Sequence, residues 1–180
     1  GRKIKVGDVI LGLPSNGLHT NGYTLARDVF FDKLKLKPSS KLPELGGSVG
    51  NELLKVHRSY LEPMTKLVKR FNAKGSTPQI KGFAHITGGG FIDNIPRILP
   101  KNVNAKIVRG SWDSQPVFEI IQKVGKVSET EMHTVFNMGI GMVFVAHPDE
   151  ISNIKKALNG LSSMFLLGSV VSGNKDVIIK

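Results

Sequence analysis

The stretch Ile80-Lys81-Gly82-Phe83-Ala84-His85-Ile86-Thr87-Gly88-Gly89-Gly90 decides the fold of this chain. Its first half alternates apolar and other residues, a pattern typical of a β-strand. Three consecutive glycines follow, and an apolar helical pattern then begins at Phe91. Glycine runs cost backbone entropy, so a fold that keeps one needs either positive φ angles or a ligand close to the backbone. The sequence therefore predicts a strand, a turn and a helix. The turn is either purely structural or aimed at an anion.

Length and composition indicate one globular domain. The chain has 180 residues, of which 40% are hydrophobic and 22% are charged, which is enough for one ordinary core. No apolar run approaches the ~20 residues of a membrane span, and no signal peptide is visible. Because the sequence has no cysteine, disulfides, thiolate metal sites and thiol nucleophiles are excluded. We expect a cytoplasmic location and no membrane partner.

The chain is strongly basic, with a formal net charge of +11 at pH 7. An anionic partner therefore has to be considered. The lysines within residues 33–41 cluster in a segment with proline and serine but without interleaved aromatic residues, which favours a solvated loop over a nucleic-acid surface. A phosphorylated small substrate suits the charge equally well, and no nucleic-acid partner is expected.

Hydrophobic periodicity predicts alternating strands and helices. The strands are predicted at 9–13, 80–86, 104–108, 140–146, 164–171 and 176–179, and the helices at 23–31, 64–71, 91–99, 115–124, 128–136 and 149–158. Pro96 predicts a kink or a first-turn position within 91–99, and residues 32–50 are predicted to be mostly irregular. The uneven spacing argues against a doubly wound fold. It predicts an α/β fold, a two-layer sandwich of a mixed β-sheet with helices packed on it.

Four segments concentrate polar groups that chemistry would need: 15–22, 57–60, 85–97 and 137–141. In the first, His19 and Asn21 belong either to a simple turn or to a loop that faces a ligand. Arg58 is either an ion-pair residue or a bidentate phosphate ligand. His85, at the end of its strand, is either a core histidine or a general acid and base.

Several familiar motifs are missing from the sequence. No two histidines have the i, i+4 spacing and no paired carboxylates occur, so no protein-ligated metal is expected. The run Asn137-Met138-Gly139-Ile140-Gly141 enters a strand, whereas a dinucleotide-binding fingerprint leaves one. No Walker-type loop is present. The residues alone therefore show no standard nucleotide-binding motif.

Four motifs occur in the order and spacing of one family: Gly7–Tyr23, Phe83–Gly90, Asn94–Pro100 and Phe136–Met142. Over essentially its whole length the chain resembles the C-terminal half of the phosphoribosylformylglycinamidine cyclo-ligases, also called aminoimidazole ribonucleotide synthetases, of purine biosynthesis. It departs at Val56-His57, where many members carry Pro-Thr ahead of the retained Arg58 and Tyr60. The role of His57 is therefore left open.

The resemblance implies an ATP-dependent ligase that activates the formyl oxygen of formylglycinamidine ribonucleotide and closes the ring to aminoimidazole ribonucleotide. It implies that residues 1–180 form a single C-terminal domain that binds substrate and phosphate. The ATP and Mg²⁺ sites and the homodimer contacts would lie mainly in an N-terminal half, the expected partner domain, and the chain alone would be inactive. A first residue of Gly1 in place of Met fits this expectation.

The same resemblance implies roles for particular residues. His85 and His19 are expected to be catalytic, with His85 the better acid and base. The residues expected to bind substrate or phosphate, with the glycine amides as donors, are Asn21, Arg58, Thr87, Gly88, Gly89, Gly90 and Asn137. The alternatives are another ATP-dependent phosphoryl-transfer enzyme of the same superfamily and a non-catalytic basic module that binds anions electrostatically.

Overall fold

A computed structural model describes residues 1–73 and 77–180 and contains one large mixed β-sheet. The strands in chain order are Val9–Pro14 (β1), Lys41–Leu42 (β2), Gly47–Ser48 (β3), Ile80–His85 (β4), Val103–Ile107 (β5), Ile140–Ala146 (β6), Phe165–Ser172 (β7) and Val177–Ile179 (β8). Six of them form the sheet in the order β4-β6-β1-β7-β5-β8, and β2 pairs with β3 separately. All neighbours in the large sheet are antiparallel except β5 and β8, which are parallel.

The helices are short and lie between the strands. They are Tyr23–Arg27 (α1), Val49–Leu53 (α2), Leu61–Phe71 (α3), Gly90–Asn94 (α4), Pro116–Gly125 (α5), Glu129–Val135 (α6) and Ile151–Leu158 (α7). The side chains of Ser48 and Ser128 accept hydrogen bonds from the first turns of α2 and α6, as capping serines do. Within the described residues, no helix has the length and apolar character needed to cross a membrane.

The sheet separates two apolar clusters because its strands alternate. In β1 and β6, Ile10, Val143 and Val145 belong to one cluster, and Leu11, Leu13 and Phe144 belong to the other. The first cluster also contains Phe91 of α4, and the second contains residues of α3 and α7. A third cluster joins α1, α2, α5 and α6. Burying both faces explains why the central strands read as nearly continuous apolar runs.

The predicted mixed sheet with helices packed on it is confirmed. The predicted helix 23–31 was wrong in part, because α1 ends at Arg27 and residues Asp28–Lys33 form a π-helix. The predicted helix 91–99 ends early: Pro96 lies at the start of a 3₁₀ turn, Ile95–Ile98, since proline cannot continue an α-helix. The segment 32–50, predicted to be mostly irregular, contains the β2–β3 hairpin and the start of α2.

A buried ion pair ties the start of β1 to β4, across the intervening β6. Lys81 Nζ lies 2.5 Å from Asp8 Oδ1, and the two side chains are 7% and 0% exposed. The other oxygen of Asp8 accepts a hydrogen bond from the Lys5 backbone N–H at 2.8 Å. Removing one partner of such a pair leaves an uncompensated buried charge.

We expect Lys81→Met to lower the free energy of unfolding by about 3–5 kcal/mol, because Asp8 is then buried without its counter-charge. Adding Asp8→Asn removes that charge and should restore most of the loss. Lys66→Met, at an exposed position on α3, is the matched control and should change stability by less than about 0.5 kcal/mol. Chemical denaturation measures all three, and a Lys81→Met value equal to the control would contradict the prediction.

Candidate functional site

Asn137 holds the loop that follows β1. Its side chain is 3% exposed, and Nδ2 donates to the Gly17 carbonyl at 2.9 Å. Its Oδ1 accepts hydrogen bonds from the Ser15 hydroxyl at 2.8 Å and from the Gly139 backbone N–H at 2.9 Å. Because the buried amide is engaged on both sides by the protein, Asn137 positions the loop that carries His19. Its predicted contact with substrate remains a prediction.

Arg58 and Tyr60 fasten the segment 57–60 to the end of β1. The Arg58 guanidinium donates to the Pro14 carbonyl at 3.3 Å and to the Ser162 hydroxyl at 3.0 Å, and the Tyr60 hydroxyl donates to the same Pro14 carbonyl at 3.0 Å. Burial raises the pKa of Tyr60, so its hydroxyl stays protonated and remains a donor. Arg58 was predicted to bind phosphate, and its observed contacts are with the protein.

Three histidines from separate segments meet at this point. The rings of His19 and His57 stack with centroids 3.9 Å apart, and the Nε2 atoms of His57 and His85 lie 3.3 Å apart. One ring nitrogen from each residue lies within 4.8 Å of one from each of the others. The two predicted catalytic residues are therefore neighbours, bridged by His57.

The backbone around His19 is shaped to hold its ring. His19 has φ 59°, a left-handed conformation that few residues other than glycine adopt and that recurs at functional sites. Gly141 on β6 leaves room for the ring, since a Cβ there would overlap the Tyr60 hydroxyl and lie 2.7 Å from His19 Cε1. Glycine at position 141 is therefore required by the close approach of two side chains.

His19 and His85 are neutral at neutral pH. Burial, reinforced by the neighbouring His57 and His85 and by Arg58, lowers the pKa of His19 from 6.5 to about 4. Burial and the neighbouring His57 also lower the pKa of His85. A neutral imidazole can accept a proton on one ring nitrogen and donate a hydrogen bond from the other. His85 is the exposed member of the cluster, so it is the one accessible to a substrate.

Asn94 organises the glycine turn that follows β4. Its side chain is 3% exposed, and Nδ2 lies 2.8 Å and 3.2 Å from the carbonyl oxygens of Gly90 and Gly88. The Thr87 hydroxyl donates to Asn94 Oδ1 at 3.2 Å. The predicted binding residue Thr87 is thus engaged in holding the turn.

The three glycines of the turn have different reasons to be glycine. Gly90 has φ +53°, and a Cβ there would overlap the His133 carbonyl. Gly89 has φ +93°, and a Cβ would lie 2.5 Å from Asp93 Cβ. Gly88 is exposed, and a Cβ there would meet Asn21 Oδ1 at 3.2 Å. The fold therefore requires Gly89 and Gly90, while Gly88 is free of backbone strain and faces Asn21.

Two backbone donors of this turn are open to a ligand. The Gly90 N–H donates to the Thr87 carbonyl at 3.0 Å. Within residues 1–73 and 77–180, the N–H groups of Gly88 and Gly89 make no hydrogen bond to the protein. Unpaired N–H groups on successive residues of a turn are suited to an anion.

The structure thus brings His19 and His85 together through His57 and places Asn21 against Gly88, whereas Asn137 and Arg58 contact other parts of the protein. Sequence reasoning missed His57, Asn16 and Asn94. Asn16 bonds to His19, with Nε2 and Oδ1 3.0 Å apart, and its Nδ2 donates to the Val56 carbonyl. The one feature of the sequence that could have indicated His57 as a site residue is its place next to Arg58, which was predicted.

We expect the His19 ring to stay neutral as the pH falls from about 7 to about 5, because its pKa lies near 4 in the folded protein. The unfolded chain binds this proton near pH 6.5, so His19 makes the folded state lose stability as the pH falls from about 6.5 towards 4. Ring ¹⁵N shifts measured in chelator-treated, metal-free buffer report the titration. A His19 midpoint near 6.5 would contradict the prediction. The variant His19→Asn, which suits a left-handed backbone, should show a weaker loss of stability over this range.

Comparison with known proteins shows the family of the chain. The family described as AIR synthase related protein, C-terminal domain, matches residues 5–180. A phosphoribosylformylglycinamidine cyclo-ligase of Thermoanaerobacter sp. (strain X514) is 43% identical over 179 residues, which cover 99% of this chain and 51% of that protein. One from Syntrophotalea carbinolica is 45% identical over 177 residues, covering 98% and 49%. The chain spans about half the length of these curated relatives.

Solved structures of lower identity share the fold. A thiamine-monophosphate kinase from Stenotrophomonas maltophilia K279a superposes with a TM-score of 0.63 at 12% identity, over 98% of this chain and 51% of that one. The hydrogenase maturation protein HypE in complex with ATP gives a TM-score of 0.61 at 11% identity, over 98% and 48%. From its match over residues 5–180 and its similarity to the cyclo-ligases, the chain belongs to the AIR synthase related protein family, as a C-terminal domain.

Proposed function

We propose that this chain is the substrate- and phosphate-binding part of a ligase that converts formylglycinamidine ribonucleotide to aminoimidazole ribonucleotide with ATP, in purine biosynthesis. The relatives at 43–45% identity carry the name of that activity. The observation that carries the proposal is the joint position of an exposed imidazole, His85, and the two unpaired amides of Gly88 and Gly89. A substrate that carries a phosphate and also a group that must lose a proton would use both features: the amides would bind the phosphate and His85 would accept the proton.

The glycine turn supplies the phosphate contact. The N–H groups of Gly88 and Gly89 are unpaired in the described part of the chain, and Asn21 lies against Gly88. Hydrogen bonds from backbone N–H groups to a charged acceptor are worth about 1.5–3 kcal/mol each. The net charge of +11 favours an anionic ligand approaching this surface.

His85 supplies the proton acceptor. In the proposed reaction the formyl oxygen attacks the terminal phosphorus of ATP and ADP leaves. A nitrogen of the substrate then attacks the activated carbon, phosphate leaves, and the nitrogen gives up one proton. The lowered pKa of His85 keeps its ring neutral, so the ring can accept that proton at neutral pH. Its neighbour His57, 3.3 Å away between Nε2 atoms, holds the His85 ring in place.

The ATP site, the Mg²⁺ site and the dimer contacts are proposed to lie mainly outside these 180 residues. ATP and Mg²⁺ are assigned mainly to an N-terminal half, which would also form a homodimer, and the enzyme is assigned to the cytoplasm. The histidine cluster offers imidazole nitrogens, whereas Mg²⁺ prefers carboxylate and phosphate oxygens. The cluster therefore does not fit Mg²⁺, and the proposed steps assigned to this chain do not pass through it.

The direct test is an assay of the protein as its gene encodes it, for ATP-dependent formation of aminoimidazole ribonucleotide. We expect conversion, and we expect His85→Gln to lower kcat by about 10²-fold or more, as loss of a general base does. Phosphorylation of thiamine monophosphate with no action on formylglycinamidine ribonucleotide would assign another reaction of the superfamily. Binding of any polyanion with steep salt dependence and no turnover would favour the basic module.

We expect Gly88→Val to abolish binding of formylglycinamidine ribonucleotide, or to weaken it at least about tenfold, with the fold intact. The new side chain would crowd Asn21 Oδ1, 3.2 Å from the added Cβ, and add bulk at a residue that carries one of the two unpaired amides, while Gly88 has no positive φ to oppose it. Gly47→Val is the matched control, because a Cβ at Gly47 meets nothing within 4 Å. Calorimetric titration measures both variants. Equal affinity of Gly88→Val and the unsubstituted protein would remove the glycine turn from the proposal.

A further inference from the structure

The three histidines form a set of metal-binding donors that goes beyond the proposed ligase activity. His19, His57 and His85 each offer one ring nitrogen, and these nitrogens lie within 4.8 Å of one another. They come from the loop after β1, the segment before α3 and the end of β4. Because the three positions are separated by tens of residues, no spacing rule along the chain indicates them.

We propose that His19, His57 and His85 bind a divalent transition-metal ion of the zinc class. In tetrahedral sites with Zn–N bonds of about 2.0–2.1 Å, two ligand nitrogens lie about 3.3–3.4 Å apart. The Nε2 atoms of His57 and His85 are already at 3.3 Å. Two of the three ligands therefore have the spacing that a bound ion requires.

His19 completes the set when its ring or that of His57 rotates. Its ring is stacked on that of His57, with an interplanar angle of 18°, so the lone pairs of the two rings lie in nearly parallel planes and do not yet meet at one point. Tilting one ring out of the stack lets both converge on one ion. Among the described residues, His19 Nδ1 is a buried ring nitrogen without a hydrogen-bond partner, which is the kind of atom that gains most from a ligand.

Asn16 selects the nitrogen of His19 that is available. Its Oδ1 lies 3.0 Å from His19 Nε2, so Nε2 carries the proton and Nδ1 keeps its lone pair. Metal-binding histidines commonly donate their other N–H to an oxygen in this way, which fixes the ring orientation. The Asn16 Nδ2 also donates to the Val56 carbonyl at 2.6 Å, so one amide orients two of the three ligating segments.

The donor set decides the class of ion. Three imidazoles and no carboxylate favour Zn²⁺, Co²⁺, Ni²⁺ or Cu²⁺ over Mg²⁺ or Ca²⁺. With three protein ligands, the fourth position of a tetrahedral ion is left for water or a substrate oxygen, and His85 is the exposed ligand by which solvent reaches the cluster. A bound ion would occupy the lone pair of His85 that the proposed proton transfer uses. Zn²⁺ is then expected to inhibit that reaction.

The test measures binding of Co²⁺ to the untagged protein as its gene encodes it, from the visible absorption of tetrahedral Co²⁺, followed by displacement with Zn²⁺. We expect one Co²⁺ per chain. Loss of a ligand should cost more than the 10–100-fold that loss of an outer partner costs. We therefore expect His57→Thr to weaken binding more than about 100-fold, and Asn16→Ala to weaken it by about 10–100-fold.

His147→Ala is the matched control, since His147 is a partly exposed histidine paired with Asp149 outside the cluster, and it should leave binding unchanged. Circular dichroism confirms that each variant is folded. Absence of a tetrahedral Co²⁺ spectrum, or equal binding by folded His57→Thr, would overturn the proposal. Both readouts are independent of turnover, so a failure of the ligase assay leaves this result interpretable.

Discussion

The carbonyl group of Pro14 is the contact on which the candidate site depends. It accepts hydrogen bonds from Arg58 at 3.3 Å and from Tyr60 at 3.0 Å. Pro14 ends β1, which pairs with both β6 and β7, so the sheet fixes its position. Because both hydrogen bonds end on Pro14, they fix residues 57–60 relative to β1, and His57 then lies against His19. Arg58 also donates to the Leu161 carbonyl and to the Ser162 hydroxyl, so several hydrogen bonds hold a segment that has no regular secondary structure.

The chemistry of the cluster follows from the closeness of its rings. Burial and neighbouring positive charge lower the pKa values of His19 and His85, because a protonated ring there would be both desolvated and repelled. The resulting neutral rings carry lone pairs, buried on His19 and exposed on His85. A lone pair of this kind can take a proton from a substrate or bind a metal ion, but not both at once. The two proposals for this site therefore concern one physical property and predict competition between proton transfer and metal binding.

The strands of the sheet could be predicted from the sequence, because a buried strand is a run of apolar residues that can be recognised without knowing which strand it pairs with. The strand Ile140–Ala146 is one example. The site was predicted less completely. Asn21 and Asn137 are both asparagines beside glycines, and only burial distinguishes the one that faces the turn from the one that holds a loop. The position of His57 depends on contacts of its neighbours with Pro14, and no periodic pattern in the sequence predicts those contacts.

The triple glycine shows how far a glycine run can be used as evidence for a ligand. Three identical residues suggest one shared cause, yet Gly90 is excluded from having a side chain by the His133 carbonyl and Gly89 by its φ of +93° and by Asp93. These two constraints belong to the turn itself and would exist without any ligand. Gly88 has neither constraint, and its one close neighbour is the side chain of Asn21. Gly88 and the unpaired amides are therefore the features that favour an anion at this turn, whereas the number of glycines does not.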